Sequence, residues 1–339
     1  MPNTSKIKLL LLTGGSSREH EISVKSRNFV LQFIDENKYE IINVLIKKDK
    51  TWIFEGTNQE CHLIHKSGNC VLLVENHVVE FDIIFPLVLG DGEDGSLQGL
   101  FESLKAPYIG TKVLGSAICF DKISSKYIMQ AHATARELNI KCVPFIEYSD
   151  KINFQKACTQ LSCTKVFIKP SNSGSTLGAN AASNEEQFQK AILDAQKYDN
   201  AILIEKYLEN VRELFCGIIY STDKQPIVSA IGEAFYEAEY FTYELKYGKD
   251  NILVPAEIDQ EIAKQIKEQS VAIFNILRCC TFARIDFFLY QNQLYFSEVN
   301  TIPAMTPTSI FLKLMLAAGY NRELTLEMLF QSTLNKGNK

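Results

Sequence analysis

Apolar and polar positions along the chain alternate in two rhythms, one suited to strands and one to helices. Residues 8 to 12 (KLLLL) form a short apolar run that reads as a buried first strand, followed by the turn Thr13-Gly14-Gly15-Ser16-Ser17. From Glu19 to about Phe33 the spacing of Ile22, Val24, Phe29, Val30 and Phe33 predicts a helix, and EIINVLI at about 40 to 46 a second strand. Strand, Gly-rich turn, helix and strand make a right-handed βαβ unit. Residues 71 to 74 and 78 to 81 read as a hairpin across Glu75-Asn76-His77, and Phe81 to Pro86 leads through LGDGEDGSLQG into a helical run from Leu97 to Leu104. A long helix is expected from about Asp121, stopping at Val143-Pro144. Then come a strand (TKVFIKP), a Gly/Ser-rich loop from Ser171 to Gly178, a helix at about 184 to 198, and the strands AILIEKYL, ELFCGIIY and PIVSAIGEA. In the last third, TFARIDFFLY and QLYFSEVNT flank the polar Gln291-Asn292-Gln293, so they are expected to pair as neighbouring strands. Organisation changes near 120 and near 210 without low-complexity linkers or repeats, which predicts three α/β units: 1–120, 121–209 and 210–339.

Composition narrows the function classes. The 339 residues are 46% hydrophobic and 22% charged, with only 9 Pro and 17 Gly, a globular balance with enough chain for two or three cores. A net charge of −5 argues against a nucleic-acid binder driven by bulk charge, though not against a local basic pocket for a nucleotide. Nine scattered cysteines, an odd number without CxxC spacing, predict reduced thiols in a cytoplasmic protein rather than a disulfide framework. The apolar run at the N-terminus is too short for a signal segment or a membrane span.

Candidate chemistry concentrates at the end of the chain. If the last two runs pair, Asp286, Glu298 and Asn300 converge, and two carboxylates with an amide oxygen form a hard-oxygen cluster of the kind that holds Mg2+ beside phosphates. A lone Asp on a strand usually belongs to a solvated face. Here the period of two puts Glu298 with Asn300 on one face of their strand and Arg284 with Asp286 on one face of theirs, so that a cation, two anions and an amide share one patch flanked by Phe287, Phe288, Leu289 and Phe296. As cleft-surface carboxylates, Asp286 and Glu298 are expected to serve an ion and to matter little for stability. The loop Ser171–Gly178 can present successive N–H groups to phosphate, although it is not a Walker A motif because Lys169 precedes it. Gly14-Gly15 lacks the full GxGxxG fingerprint, and the acids of GDGEDG read by themselves as a helix N-terminus stabilised by the macrodipole.

Taken in order, GGSSREHEIS (14–23), GDGEDGSLQG, FDK (120–122), KPSNSGSTLG, EKYL, TYELKY, RID and EVNTIPAMT (298–306) resemble the D-alanine–D-alanine ligase family of the ATP-grasp superfamily over nearly the whole chain. The resemblance implies an α/β ATP-grasp fold behind an N-terminal Rossmann-like domain, with ATP between the second and third units. Lys122 and Lys169 would contact ATP phosphates, Glu205 and Leu208 would hold adenine through backbone groups of a hinge strand in which Lys206 would also bind ATP, Glu213 would take the ribose hydroxyls, and Lys246 would reach the γ-phosphate. Asp286, Glu298 and Asn300 would hold Mg2+ or Mn2+, two ions. Arg284 would stabilise the oxyanion, Glu19 would hold the first D-alanine's ammonium with Ser175 and Tyr247 beside it, and Ser309 would lie near the second substrate's carboxylate. A homodimer acting on D-alanine and ATP in peptidoglycan precursor synthesis is implied, with neither nucleic acid nor membrane as partner.

The chain departs from the family's pattern at Leu89-Gly90, where His-Gly is usual in a loop one residue longer, and at Ala304, where Gly is usual. The segment after Tyr247 is also short. Two alternatives therefore stand beside a ligase of two D-alanines: a related ligase with D-lactate or another amino acid as second substrate, and an ATP-binding homologue without turnover. Tyr247 favours the dipeptide product, and Leu89 argues mildly the other way. A plain dinucleotide-binding protein would rest on Gly14-Gly15 alone.

Overall fold

In the computed structural model the opening apolar run is the strand Ile7–Gly14, paired in parallel with Tyr39–Ile46 on one side and Ile83–Pro86 on the other. Residues 6–220, 223, 225–236 and 251–334 are described. Leu9, Leu10, Leu11 and Leu12 are all fully buried, because both faces of this sheet are covered and a run apolar at every position suits such a place. Leu10 and Leu12 face a core with Ile42, Val44, Phe101 and Tyr108. Leu9 and Leu11 face another that holds Phe282, Phe311, Met315, Leu326 and Phe330 from the far end of the chain. The N-terminal sheet is thereby welded to the helices Ile310–Ala317 and Arg322–Leu334.

Helix His20–Val30, extended by one 3-10 turn to Phe33, makes the expected crossover. The sheet reaches seven strands through the antiparallel run Trp52–Phe54, Gln59–Lys66, Asn69–Val74 and His77–Val79, of which the sequence pattern predicted only the last hairpin. The long helix expected from Asp121 is two, Lys122–Ala131 and Ala133–Glu137. His132 between them is extended at φ −77° and ψ 133°, and its ring accepts from the N–H of Thr134 at 3.2 Å, capping the second helix. The helix Val113–Phe120 before them escaped the pattern, since VLGSAICF offers no polar face to set a period.

A second, four-stranded antiparallel sheet runs in the order Asn180–Ala182, Val166–Pro170, Ile202–Lys206, Phe145–Glu147. Helices Phe154–Leu161 and Glu185–Ala195 back it through Leu161, Phe188, Ala191 and Ile192. The third sheet has six strands in the order Ile252–Leu253, Pro226–Ala234, Arg212–Tyr220, Phe282–Tyr290, Gln293–Asn300, Lys141–Cys142. Helix Gln260–Ile276 packs on it. The strand Lys141–Cys142 joins this sheet although its neighbours in sequence lead into the second one. The predicted hairpin near the end is present, its turn being Gln291-Asn292, both at positive φ (48° and 60°), while Gln293 already belongs to the strand. No described helix is long and apolar enough to cross a membrane. All nine cysteines are free.

Candidate active site

The second and third sheets face each other across a cleft that encloses about 980 Å³, open solvent at its mouth included. Val143, Phe167, Leu177, Leu208 and Phe288 give it apolar walls, and Lys122, Lys169, Lys206, Glu213, Asp286 and Glu298 line it with charge. An apolar slot with a few converging polar groups is the usual form of a small-molecule site.

The Gly/Ser loop reaches this cleft because its start is tied to a helix end. Asp121 caps the helix Lys122–Ala131 by accepting from the N–H of Ser124 at 2.8 Å, and its carboxylate also accepts from the Ser171 hydroxyl at 2.8 Å and the Asn172 amide at 3.3 Å. Lys122, the first residue of that helix, donates to the carbonyl of Ser173 at 2.5 Å and lies 3.5 Å from a carboxylate oxygen of Glu298. One ammonium thus touches both the loop and the EVNT strand, which lie on opposite sides of the cleft.

Glu205 lies inside the four-stranded sheet opposite Phe167 and Phe145, so its backbone groups serve the ladder rather than a ligand. Its side chain, 4% exposed, receives the ammonium of Lys126 on one oxygen and that of Lys169 on the other, each at 2.7 Å. Burial by itself raises a carboxyl, but the two ammoniums outweigh it and hold Glu205 down at about 2. Lys126 is raised, burial being outweighed by Glu205, whereas Lys169 is lowered, by burial first, with Lys126 and Lys122 acting in the same direction. Lys206 and Leu208 follow on the cleft wall, where the N–H of Lys206 already bonds the carbonyl of Pro144 at 2.9 Å. Glu213 accepts from the Tyr236 phenol at 2.6 Å, and burial together with this carboxylate raises that phenol.

Across the cleft the last two strands pair Asp286 with Glu298 and Arg284 with Asn300, a bulge after Asp286 displacing the register. Arg284 donates from Nε and Nη2 to the two oxygens of Asp286, both at 2.7 Å, and the Asn300 amide adds a bond at 3.0 Å. Arg284 is 4% exposed and Asp286 7%. The expectation that Asp286 is a surface carboxylate of little weight for stability is corrected here, since it neutralises a buried guanidinium. Glu298, with 28% of its side chain exposed, keeps the cleft-surface character expected of it. Among the described residues no group of three or more His, Cys, Asp or Glu stands at metal-holding separation. Two carboxylates and an amide are a donor set suited to Mg2+ that completes its shell with phosphate oxygens and water, not to a cage built from protein alone.

Glu19 and Ser175, far apart in sequence, meet: the serine hydroxyl donates to a Glu19 oxygen at 2.6 Å, with both residues buried. The other Glu19 oxygen lies against Gly90 and Gly174, where an added Cβ would come within 3.3 Å of it. The Gly-Gly turn nearby is closed to an anion at its own N–H groups. Those of Gly14 and Gly15 go to the Ser23 hydroxyl at 2.7 Å and the Ile46 carbonyl at 2.9 Å, and that of Ser16 to Asp91 at 2.6 Å. Asp91 thus ties two loops, while Asp94 accepts from the N–H of Ser96 at the start of helix Ser96–Ser103, as an acidic helix N-terminus should. Leu89 is 2% exposed and packs with Ile22, Ile302 and Ala304, so the two departures from the family's pattern share one apolar cluster. Ser309 precedes helix Ile310–Ala317 with its hydroxyl engaged by Thr306 (2.7 Å to the N–H, 2.9 Å to Oγ1) rather than capping the helix. Phe215 links this helix to the cluster, stacking under Arg284 at 5.5 Å and packing with Ile310. Lys246 and Tyr247 lie outside the described residues.

Sequence reasoning missed Lys126 and Tyr236. Lys126 had one signal: it stands one helical turn after Lys122, on the same helix face. Tyr236 had none, because only the pairing of the strand before it, Pro226–Ala234, with the one carrying Glu213 brings the two together.

A four-stranded antiparallel sheet and a six-stranded, mostly antiparallel one closing on a cleft, with lysines on one side and carboxylates on the other, beside an N-terminal sheet with a parallel βαβ unit, define an ATP-grasp fold. Family models described as D-ala D-ala ligase N-terminus and D-ala D-ala ligase C-terminus match residues 8–111 and 136–331. A D-alanine–D-alanine ligase of Caldicellulosiruptor bescii is 34% identical over 98% of this chain and 96% of its own. D-alanine–D-alanine ligase B of Clostridium tetani is 34% identical over 97% and 94%. Among solved structures, D-alanyl-alanine synthetase A from Vibrio cholerae superposes with a TM-score of 0.85 at 29% identity, covering 98% of this chain and all of that one. The VanG D-Ala:D-Ser ligase from Enterococcus faecalis superposes with a TM-score of 0.83 at 26% identity, over 97% and 100%. The chain belongs to the D-alanine–D-alanine ligase family.

Proposed function

We propose that the protein is an ATP-dependent ligase that joins two D-alanines through an acyl phosphate, for peptidoglycan precursor synthesis. The observation that carries this reading is the ammonium of Lys122, which joins the Gly/Ser loop to Glu298 across one cleft with Lys169 beside it. A triphosphate laid along that cleft has cations on one side and the carboxylates on the other. Adenine fits the apolar end between Phe167, Leu208 and Phe288, and Glu213 faces the ribose.

A carboxylate does not react with an amine until one of its oxygens can leave. In the proposed sequence a carboxylate oxygen of the first D-alanine attacks the γ-phosphorus and ADP departs. The amine of the second D-alanine then attacks the carbonyl carbon, and inorganic phosphate leaves as the amide forms. Glu19, held by Ser175, binds the ammonium of the first substrate and so orients its carboxylate. Lys122 and Lys169 hold the phosphates. Arg284, fixed by its two bonds to Asp286, faces the charge that develops on the carbonyl oxygen. Mg2+ held by Asp286, Glu298 and Asn300 would neutralise phosphate charge during transfer. The cytoplasmic location and the homodimer are part of the same proposal.

One observation supports a second reading of the acceptor. Leu89 and Ala304 make the wall of Ile22 and Ile302 apolar, and a structural relative is named for D-serine as second substrate. Phosphate release from ATP, measured with D- and L-amino acids and D-lactate and with products identified by mass, tests both readings. Release that requires D-alanine and yields D-alanyl-D-alanine is expected. A mixed product formed in preference moves the assignment to the second reading, and no D-alanine-dependent release overturns both.

A further inference from the structure

Lys126 has no place in the reading above, yet it is fully buried. Its ammonium sits 2.7 Å from Glu205, 3.5 Å from the carbonyl of Phe296, and 5.9 Å from the ring centres of Phe145 and Phe296. Enclosing a lysine in this way is costly unless its charge is compensated and put to use. The compensation is shared, because Glu205 gives its other oxygen to Lys169, which lines the cleft. Two ammoniums thus divide one carboxylate, and the trio keeps one positive charge.

We propose that Lys126 is a positioning residue which, by taking half of Glu205, limits that carboxylate's claim on Lys169 and so leaves the Lys169 ammonium to the phosphates of the nucleotide. This rests on the reading that the cleft binds ATP. Were Glu205 paired with Lys169 alone, the pair would be neutral, and the carboxylate would compete with phosphate for the same ammonium. Lys126 is fully buried and does not line the cleft, so it does not meet the ligand. It acts by setting how much of Lys169 the carboxylate claims.

The test compares affinities for ATP and adenosine by calorimetry in the full-length protein. Lys126→Met removes the compensating charge, and Lys126→Met with Glu205→Gln returns the trio to one positive charge. In the single variant ATP affinity should fall about tenfold or more, the weight of one nearby unit charge in a partly screened cleft, while adenosine affinity holds within about twofold. The double variant should regain most of the ATP affinity. Equal losses for ATP and adenosine would show that Lys126 only supports the strand, and an unchanged ATP affinity in the single variant would also overturn the proposal. If the single variant does not fold, the double variant decides: near wild-type ATP affinity supports the proposal, and a tenfold loss refutes it. Wild-type protein that does not bind ATP overturns the nucleotide reading itself, and this inference with it.

Discussion

Asp286→Asn and Glu298→Gln change two neighbouring carboxylates by the same atom, yet they should differ in what they do to the fold. Asp286 accepts from Nε and Nη2 of Arg284 and from the Asn300 amide. An asparagine there can put its single oxygen toward Nη2 and Asn300, which sets its NH2 against Nε, or toward Nε, which sets its NH2 against the other two. Either way a donor faces a donor and a buried guanidinium loses its counter-charge. Breaking a buried pair costs about 3 to 5 kcal/mol, and since one good bond survives we expect about 3 kcal/mol. Glu298 is more exposed and its lysine partner is 3.5 Å away, so Glu298→Gln should cost about 1 kcal/mol or less. Thermal unfolding without nucleotide reads the difference, with a fall of about 4 °C for Asp286→Asn and of about 1.5 °C or less for Glu298→Gln. Both variants should lose most turnover, because both carboxylates face the proposed phosphate path. Equal melting temperatures would refute the view that Asp286 holds Arg284 in place, and retained turnover in both at ordinary Mg2+ would remove the pair from the site.

Glu19→Ala and Ser175→Ala break one hydrogen bond from its two ends, so the double variant should lose little more kcat/KM for D-alanine than the worse single variant, and additive losses would separate the two residues. Glu205 is held at about 2 in the folded protein against an ordinary 4.5, so it binds fewer protons folded than unfolded in that range. Its ionised form therefore stabilises the fold fully above about pH 4.5, and that contribution is lost as pH falls toward 2. Acid unfolding of wild type against Glu205→Gln checks the sign: stability should fall more steeply over that window in the wild type, and parallel curves would show that the carboxylate is not linked to folding.

The register that sets Asp286 against Glu298 and Arg284 against Asn300 was not legible in the sequence, because it depends on the bulge after Asp286. That the last two strands pair was legible, because a short polar turn and a period of two are local facts of the chain. The buried first strand, the βαβ unit and the Gly/Ser loop were legible for the same reason. The meeting of Glu19 with Ser175 was reached only through the resemblance of the whole string of motifs, since nothing local in either segment points to the other. His132, where one expected helix becomes two, gave no signal, because the polar pattern runs through the break and only the extended backbone at that residue divides it.

Burial belongs to the tertiary structure alone. Asp286 read as a cleft carboxylate, but packing of the third sheet turned it into the counter-ion of a buried arginine. Lys126 was passed over in the sequence, because only the arrival of the strand carrying Glu205 makes it a buried, paired charge. Leu89 and Ala304 stand far apart in the chain, and their shared cluster exists only because the N-terminal loops pack against the segment after the last strand. Periodicity and turn chemistry act between neighbours in sequence, so the chain by itself determines its elements and its motifs. Which charges lose their water, and which partners then compensate them, depends on segments distant in the chain arriving at one place, and only the packed structure decides that.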